Sequence, residues 1–169
     1  MQQRVWLLGL INNFEIIKIA TCSEDFKVSL KVFNSNQMLG KIVAQPAIHG
    51  FSQLAARALM AYIFIVAGWG KVVGYEATVG YMQAMGVPGE LLPLTILLEF
   101  GGGLAILFGL QTRVVAALLA GFSLVTAFLF HGTAEDAVNF MKNFAMAGGL
   151  LLLVVQGAGR ISLDALIEK

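Results

Sequence analysis

The stretch Leu91 to Leu110, LLPLTILLEFGGGLAILFGL, decides the fold, because it is apolar throughout except for one carboxylate, Glu99, in its interior. At about 1.5 Å of rise per residue, a helix of this length covers a hydrocarbon core of about 30 Å, so the run is expected to cross a bilayer. An acidic side chain near mid-bilayer costs about 2.5–3.5 kcal/mol on insertion scales. Glu99 is therefore expected to face other helices, and there either to pair with a cation or to take up a proton. Carboxylates in such positions serve two ends, as ion pairs that orient helices and as proton or ligand sites.

The composition around this stretch points to the same solvent. The chain is 58% apolar and 12% charged, with a mean hydropathy of +0.81, whereas soluble domains are about 45–50% apolar and about 25% charged. That many apolar side chains cannot be hidden in one small soluble core. The net charge of +1 and the lack of a basic tract exclude the electrostatic footprint of a nucleic-acid binder. Cys22 is the single cysteine, which excludes an internal disulfide, a Cys-x-x-Cys redox pair and a cysteine zinc site. The two histidines, His49 and His131, fall on opposite sides of the expected membrane, so they cannot jointly ligate a haem, and no metal site is expected.

Working outward, three more apolar runs flank the first. Span one lies within Leu54 to Val73, bounded by Arg57 and Lys71, both expected to snorkel outward. Span three is Val114 to Phe130, and span four runs from Asn143 to about Ala158. The predicted fold class is all-α, an integral membrane four-helix bundle with a short non-membrane N-terminal extension. Arg57, Arg113, Arg160 and Lys169 fall on one side. Lys71 and Lys142 on the other are diluted by Glu76, Glu90, Glu135 and Asp136, so both termini are expected in the cytoplasm.

Two domains are expected, an extension over residues 1–48 and the membrane domain over residues 49–169. Within the extension, Phe26 to Phe33 alternates apolar and polar residues as a half-buried strand does, so the segment reads as a small three-stranded meander or a disordered tail. Met38 is a candidate natural start.

Glu99 is expected roughly 10 Å below the external end of its span, and Lys71, Lys142 and Asn143 approach the same side. The predicted intramembrane cluster is thus Glu99, Lys71, Lys142 and Asn143, with Lys142 expected as the first partner of Glu99 and Lys71 as the second. Two cations around one carboxylate would hold it ionised, and would also leave a positive pocket for an anionic ligand or a quinone oxygen. His131, in HGTAED, is an accessory candidate that could bond Glu135 or Asp136, and Arg113 is a weaker accessory at the opposite face.

The quoted landmarks resemble the DoxX family of small bacterial inner-membrane proteins. They are RALMAYIFIVAGWGKVVGYEATVGYMQAMGVP, LLEFGGGLAILFGLQTR and FMKNFAMAGGLLLLVVQGAGRISLD, which ends in Gly-x-Gly-x-x-Ser-Leu-Asp. The resemblance covers nearly everything from Phe51 onward and leaves out the extension. It implies a four-helix bundle in the inner membrane. Some relatives are linked to thiosulfate-to-quinone oxidation, or to an oxidoreductase complex with superoxide dismutase and a thiosulfate sulfurtransferase. Three functions follow as expectations. The first is a non-catalytic or quinone-associated subunit of a membrane oxidoreductase or oxidative-stress system, contacting lipid and protein partners of such a complex. The second is a small transporter or ion-permeation component using Glu99, which would need to assemble as a homo-oligomer to enclose a path. The third is a purely structural membrane protein. No cofactor is evident in the residues themselves, and quinone is the candidate that the resemblance adds.

Overall fold

The computed structural model describes residues 35–167. The strand expected over Phe26 to Phe33, and the meander around it, lie outside the described residues. The chain divides into two units, residues 1–45 and 46–169. In the first, Ser35–Val43 forms helix α1, with Met38, Leu39, Ile42 and Val43 exposed.

The second unit is a bundle of four long apolar helices, and no strand occurs among the described residues. Helix α2 spans Pro46–Val73, α3 spans Tyr75–Ala84, α4 is the composite span Gly89–Phe108, α5 spans Thr112–Phe130, α6 spans Ala137–Gln156, and α7 is the short Asp164–Ile167. Helix α2 starts at Pro46, ahead of the Leu54 expected from hydropathy. Proline suits a first turn because its missing N–H would be unsatisfied there anyway. Its 28 residues extend about 42 Å, longer than the hydrocarbon core, so it tilts or reaches past the core. Its buried residues, Gly50, Arg57, Ala61, Phe64 and Gly68, recur at helical spacing and form one inward stripe.

That stripe meets Ile106 of α4, Ala116, Leu119 and Ala120 of α5, and Ala147, Leu150 and Leu153 of α6 in one core. Large apolar side chains such as Leu59, Leu97, Leu118, Phe128 and Val155 point outward on all four spans. A soluble bundle would bury these and show charge instead. The chain is an integral membrane four-helix bundle with lipid as its outer solvent.

Helix α4 is not uniform. It opens with a 3-10 turn, Gly89–Leu91, runs α-helical over Leu92–Ile96, widens into a π turn over Leu97–Gly101, and closes α-helical over Gly102–Phe108. A π turn inserts one residue and shifts which side chains face inward, and it places Glu99 in the bundle at 7% exposure. The backbones of α2 and α4 nearly touch here: a Cβ on Gly68 would lie 2.7 Å from the Phe100 nitrogen and 2.8 Å from its Cβ.

At the other end of α2, Arg57 is 1% exposed. Instead of snorkelling into the interface, it donates from Nη1 to the Ala158 carbonyl at 2.8 Å and from Nη2 to the Ile161 carbonyl at 2.6 Å. The loop after α6 folds back over the bundle and its carbonyls take both Nη groups, while the buried Nε has no partner. The same loop supplies Asp164, whose Oδ1 accepts the Gln111 N–H at 2.7 Å and whose Oδ2 accepts the Thr112 N–H at 2.9 Å, capping α5 from a distant part of the chain. Burial works to raise the Asp164 carboxyl. The Thr112 and Gln111 backbone N–H groups and the nearby Arg57 charge outweigh it and hold Asp164 below its usual value.

The close approach at Gly68 gives a clean test. Gly68→Val should lower the melting temperature in detergent by several degrees, since overpacking costs about 1–3 kcal/mol. Gly70→Val, where an added Cβ meets nothing within 4 Å, should be near neutral. Equal behaviour of the two variants would refute the contact.

Candidate functional site

Lys71 lies in the last turn of α2, three residues after Gly68, and Glu99 immediately precedes Phe100, against which Gly68 is packed. The contact that brings the backbones together therefore also brings these two side chains together. Lys71 Nζ donates to Glu99 Oε2 at 2.6 Å, with side-chain exposures of 27% and 9%. A charge-assisted bond this short in a nearly buried setting is strong as a pair and costly to break by removing one member.

The pair borders a cavity of about 460 Å³. Its wall is mainly apolar, with Phe64, Phe122, Leu129 and Met146 from three spans, and α3 adds Thr78, Tyr81 and Met82. The joint between the first two spans is thus a helix whose residues line the cavity. Tyr81 stacks on Phe130 with centroids 5.7 Å apart. A hydrogen-bonded series along α5 and α6 faces the same space. Thr126 Oγ1 lies 3.4 Å from Asn143 Oδ1, Asn143 Nδ2 donates to the Asn139 carbonyl at 3.0 Å, Asn139 Nδ2 donates to Asp136 Oδ1, and Asp136 Oδ2 bonds His131 Nδ1.

Of the expected cluster, Lys71, Glu99, Lys142 and Asn143 all line this one cavity. Their order differs from the expectation: Lys71, not Lys142, is the partner of Glu99. Helix α2 packs directly on the π turn of α4, whereas Lys142 rides on α6, whose main neighbour is α5, and its side chain is exposed. His131 takes Asp136 of its two candidate partners. Arg113 is not at this site. Its Nη1 donates to the Val154 and Val155 carbonyls at 2.7 and 2.8 Å, capping the C-terminal end of α6.

Sequence reasoning missed Thr126, Asn139 and Tyr81 as lining residues. The spacing of Asn139 and Asn143, four apart on one helix face, was the available signal. The donors and acceptors here suit a neutral ligand oxygen in an otherwise apolar seat. Among the described residues, no three His, Cys, Asp or Glu side chains converge as metal ligands would.

If the buried pair holds α2 to α4, then Glu99→Gln and Lys71→Met should each lower thermal stability in detergent, and the double change should cost less than the sum. Polar contacts in membranes average about 0.6 kcal/mol and reach about 1.7, which sets the expected coupling. Lys142→Met should show no coupling to Glu99→Gln. Strict additivity of the Lys71 and Glu99 changes would remove the pair from the account.

Comparison with known proteins places these features in a family. The DoxX family model matches residues 52–132. Inner membrane protein YqjF of Escherichia coli (strain K12) is 59% identical over 119 residues, covering 69% of this chain and 92% of the relative. Inner membrane protein YphA of the same organism is 35% identical over 121 residues, covering 66% and 86%. A Bacillus subtilis (strain 168) protein named "Putative oxidoreductase CatD" is 31% identical over 120 residues, covering 69% and 87%. No solved structure is a significant match. With the four-span bundle, the family-model match and a relative matched over nearly its whole length, the chain belongs to the DoxX family.

Proposed function

We propose that this protein is a quinone-associated, non-catalytic subunit of a membrane oxidoreductase or oxidative-stress system, and that the quinone head group sits in the cavity beside Lys71 and Glu99. The carrying observation is the ion pair bordering a largely apolar space of about 460 Å³ among the spans. A quinone is a flat apolar ring with carbonyl acceptors, and its isoprenoid tail belongs in lipid. The Lys71 ammonium is a donor for one carbonyl, and Phe64, Phe122 and Met146 offer an apolar bed for the ring. The oxidoreductase in the name of the relative CatD is consistent with this direction. A path for ions through a single bundle is disfavoured, because the core residues Ala61, Ile106, Leu119 and Leu150 are fully buried and fill the space between the spans.

Purified from quinone-replete membranes, the protein should carry quinone detectable by extraction. A short-tailed ubiquinone should raise its melting temperature, with Lys71→Met weakening binding at least about tenfold, the loss of one charge-assisted bond. No bound quinone and no thermal shift would reject this reading, and proton flux in proteoliposomes lost with Glu99→Gln would put permeation in its place.

The location proposed is the bacterial inner membrane with both termini cytoplasmic. It is supported by the names of two relatives and by the positions of Arg57, Arg113 and Arg160. Reporter fusions after Glu90 and Glu135 should read external and one after Thr112 cytoplasmic. The reverse pattern would overturn the orientation.

A further inference from the structure

A second cavity, of about 500 Å³, lies at the Pro46 end of α2, where α5 begins and α6 ends. Gln53 in its wall and Lys71 at the first site are separated by about 27 Å along α2. Here the wall is about half polar, whereas the first is mainly apolar, and its cations are Arg113 and Arg160, with His49 and Asp164 beside them.

Three facts leave the two arginines available. The carboxylate in the wall, Asp164, has both oxygens committed to the Gln111 and Thr112 N–H groups and faces the buried Arg57 charge. Arg113 spends Nη1 on the end of α6, while its Nη2 and Nε lie over Gly157, which has a φ of +76° and no side chain to cover them. Among the described residues neither the Arg160 nor the His49 side chain has a hydrogen-bond or ion-pair partner. A guanidinium offers planar, paired donors whose natural complement is an oxyanion, above all a phosphate. The space is far larger than a bare ion needs, so the ligand carries a substituent on that phosphate. Its position at the ends of three spans is the depth at which lipid phosphates lie.

We propose that this cavity, lined by Arg113 and Arg160 beside the glycine loop at Gly157–Gly159, is a binding site for a phosphate ester, either the head group of an anionic glycerolipid or a soluble phosphate ester. The site is independent of the quinone seat and needs no redox chemistry.

The test uses the full chain in detergent, with phosphatidylglycerol, phosphatidylcholine and glycerol 3-phosphate as probes. Retention is read by native mass spectrometry and protection by thermal melting. Phosphatidylglycerol should be retained and should raise the melting temperature, more so at low salt, while phosphatidylcholine is retained at least fivefold less. Arg160→Gln should reduce retention at least fivefold with the unliganded melting temperature unchanged, because Arg160 holds no part of the fold. Arg113→Gln should do the same at some cost in stability, since it also caps α6. Displacement of the lipid by millimolar glycerol 3-phosphate would identify a soluble ester as the occupant. Retention of lipid against that challenge would identify the head group. Failure of both probes to bind, or wild-type retention by Arg160→Gln, would overturn the site.

Discussion

A charged side chain inside an apolar span must be neutralised by something within reach, and helix α2 meets that requirement twice on one molecule. Arg57 and Lys71 are separated by about 21 Å along the axis. Arg57 gives both Nη groups to carbonyls of the loop after α6, and Lys71 pairs with the Glu99 carboxylate of α4. Each cation thus fastens a different later part of the chain to the first span. Lipid gives little driving force for helices to associate, because the surroundings are as apolar as the helix faces, so close packing and polar clamps of this kind carry much of the specificity. The Gly68 approach to Phe100 and the Lys71–Glu99 bond form one device: the first sets the distance at which the second can form.

The four spans were legible because an apolar run of this length has few alternatives, and Glu99 was legible because a lone carboxylate in such a run is conspicuous. The partner of Glu99 was not. Depth put Lys142 ahead of Lys71, and the packing of α2 on the π turn reverses that order. The π turn leaves no mark in the sequence, since its residues, Leu97 to Gly101, read as ordinary helix with glycine at the end. Arg57 was expected at the interface because nothing local reveals that a loop more than 100 residues later returns to cover it. The glycines and the aspartate of that loop were visible in GAGRISLD, but their use is tertiary: Asp164 caps a helix that begins 52 residues earlier.

The two ends of the bundle are built from the same spans and yet differ in chemistry for a local reason. Where α2 meets α4 a carboxylate and a cation cancel within a mainly apolar wall, to which Lys142 adds an exposed ammonium. Where the C-terminal loop returns, the carboxylate of Asp164 is consumed by backbone N–H groups, so the neighbouring arginines are not cancelled and the wall stays positive. Fully buried core residues, Ala61, Ile106, Leu119 and Leu150, lie in the bundle between these ends. The two cavities therefore differ in kind, one mainly apolar around a paired carboxylate and one lined by arginines. Because Arg57 anchors the returning loop and Lys71 anchors the π turn through separate contacts, a change at one end can alter its wall without dismantling the other.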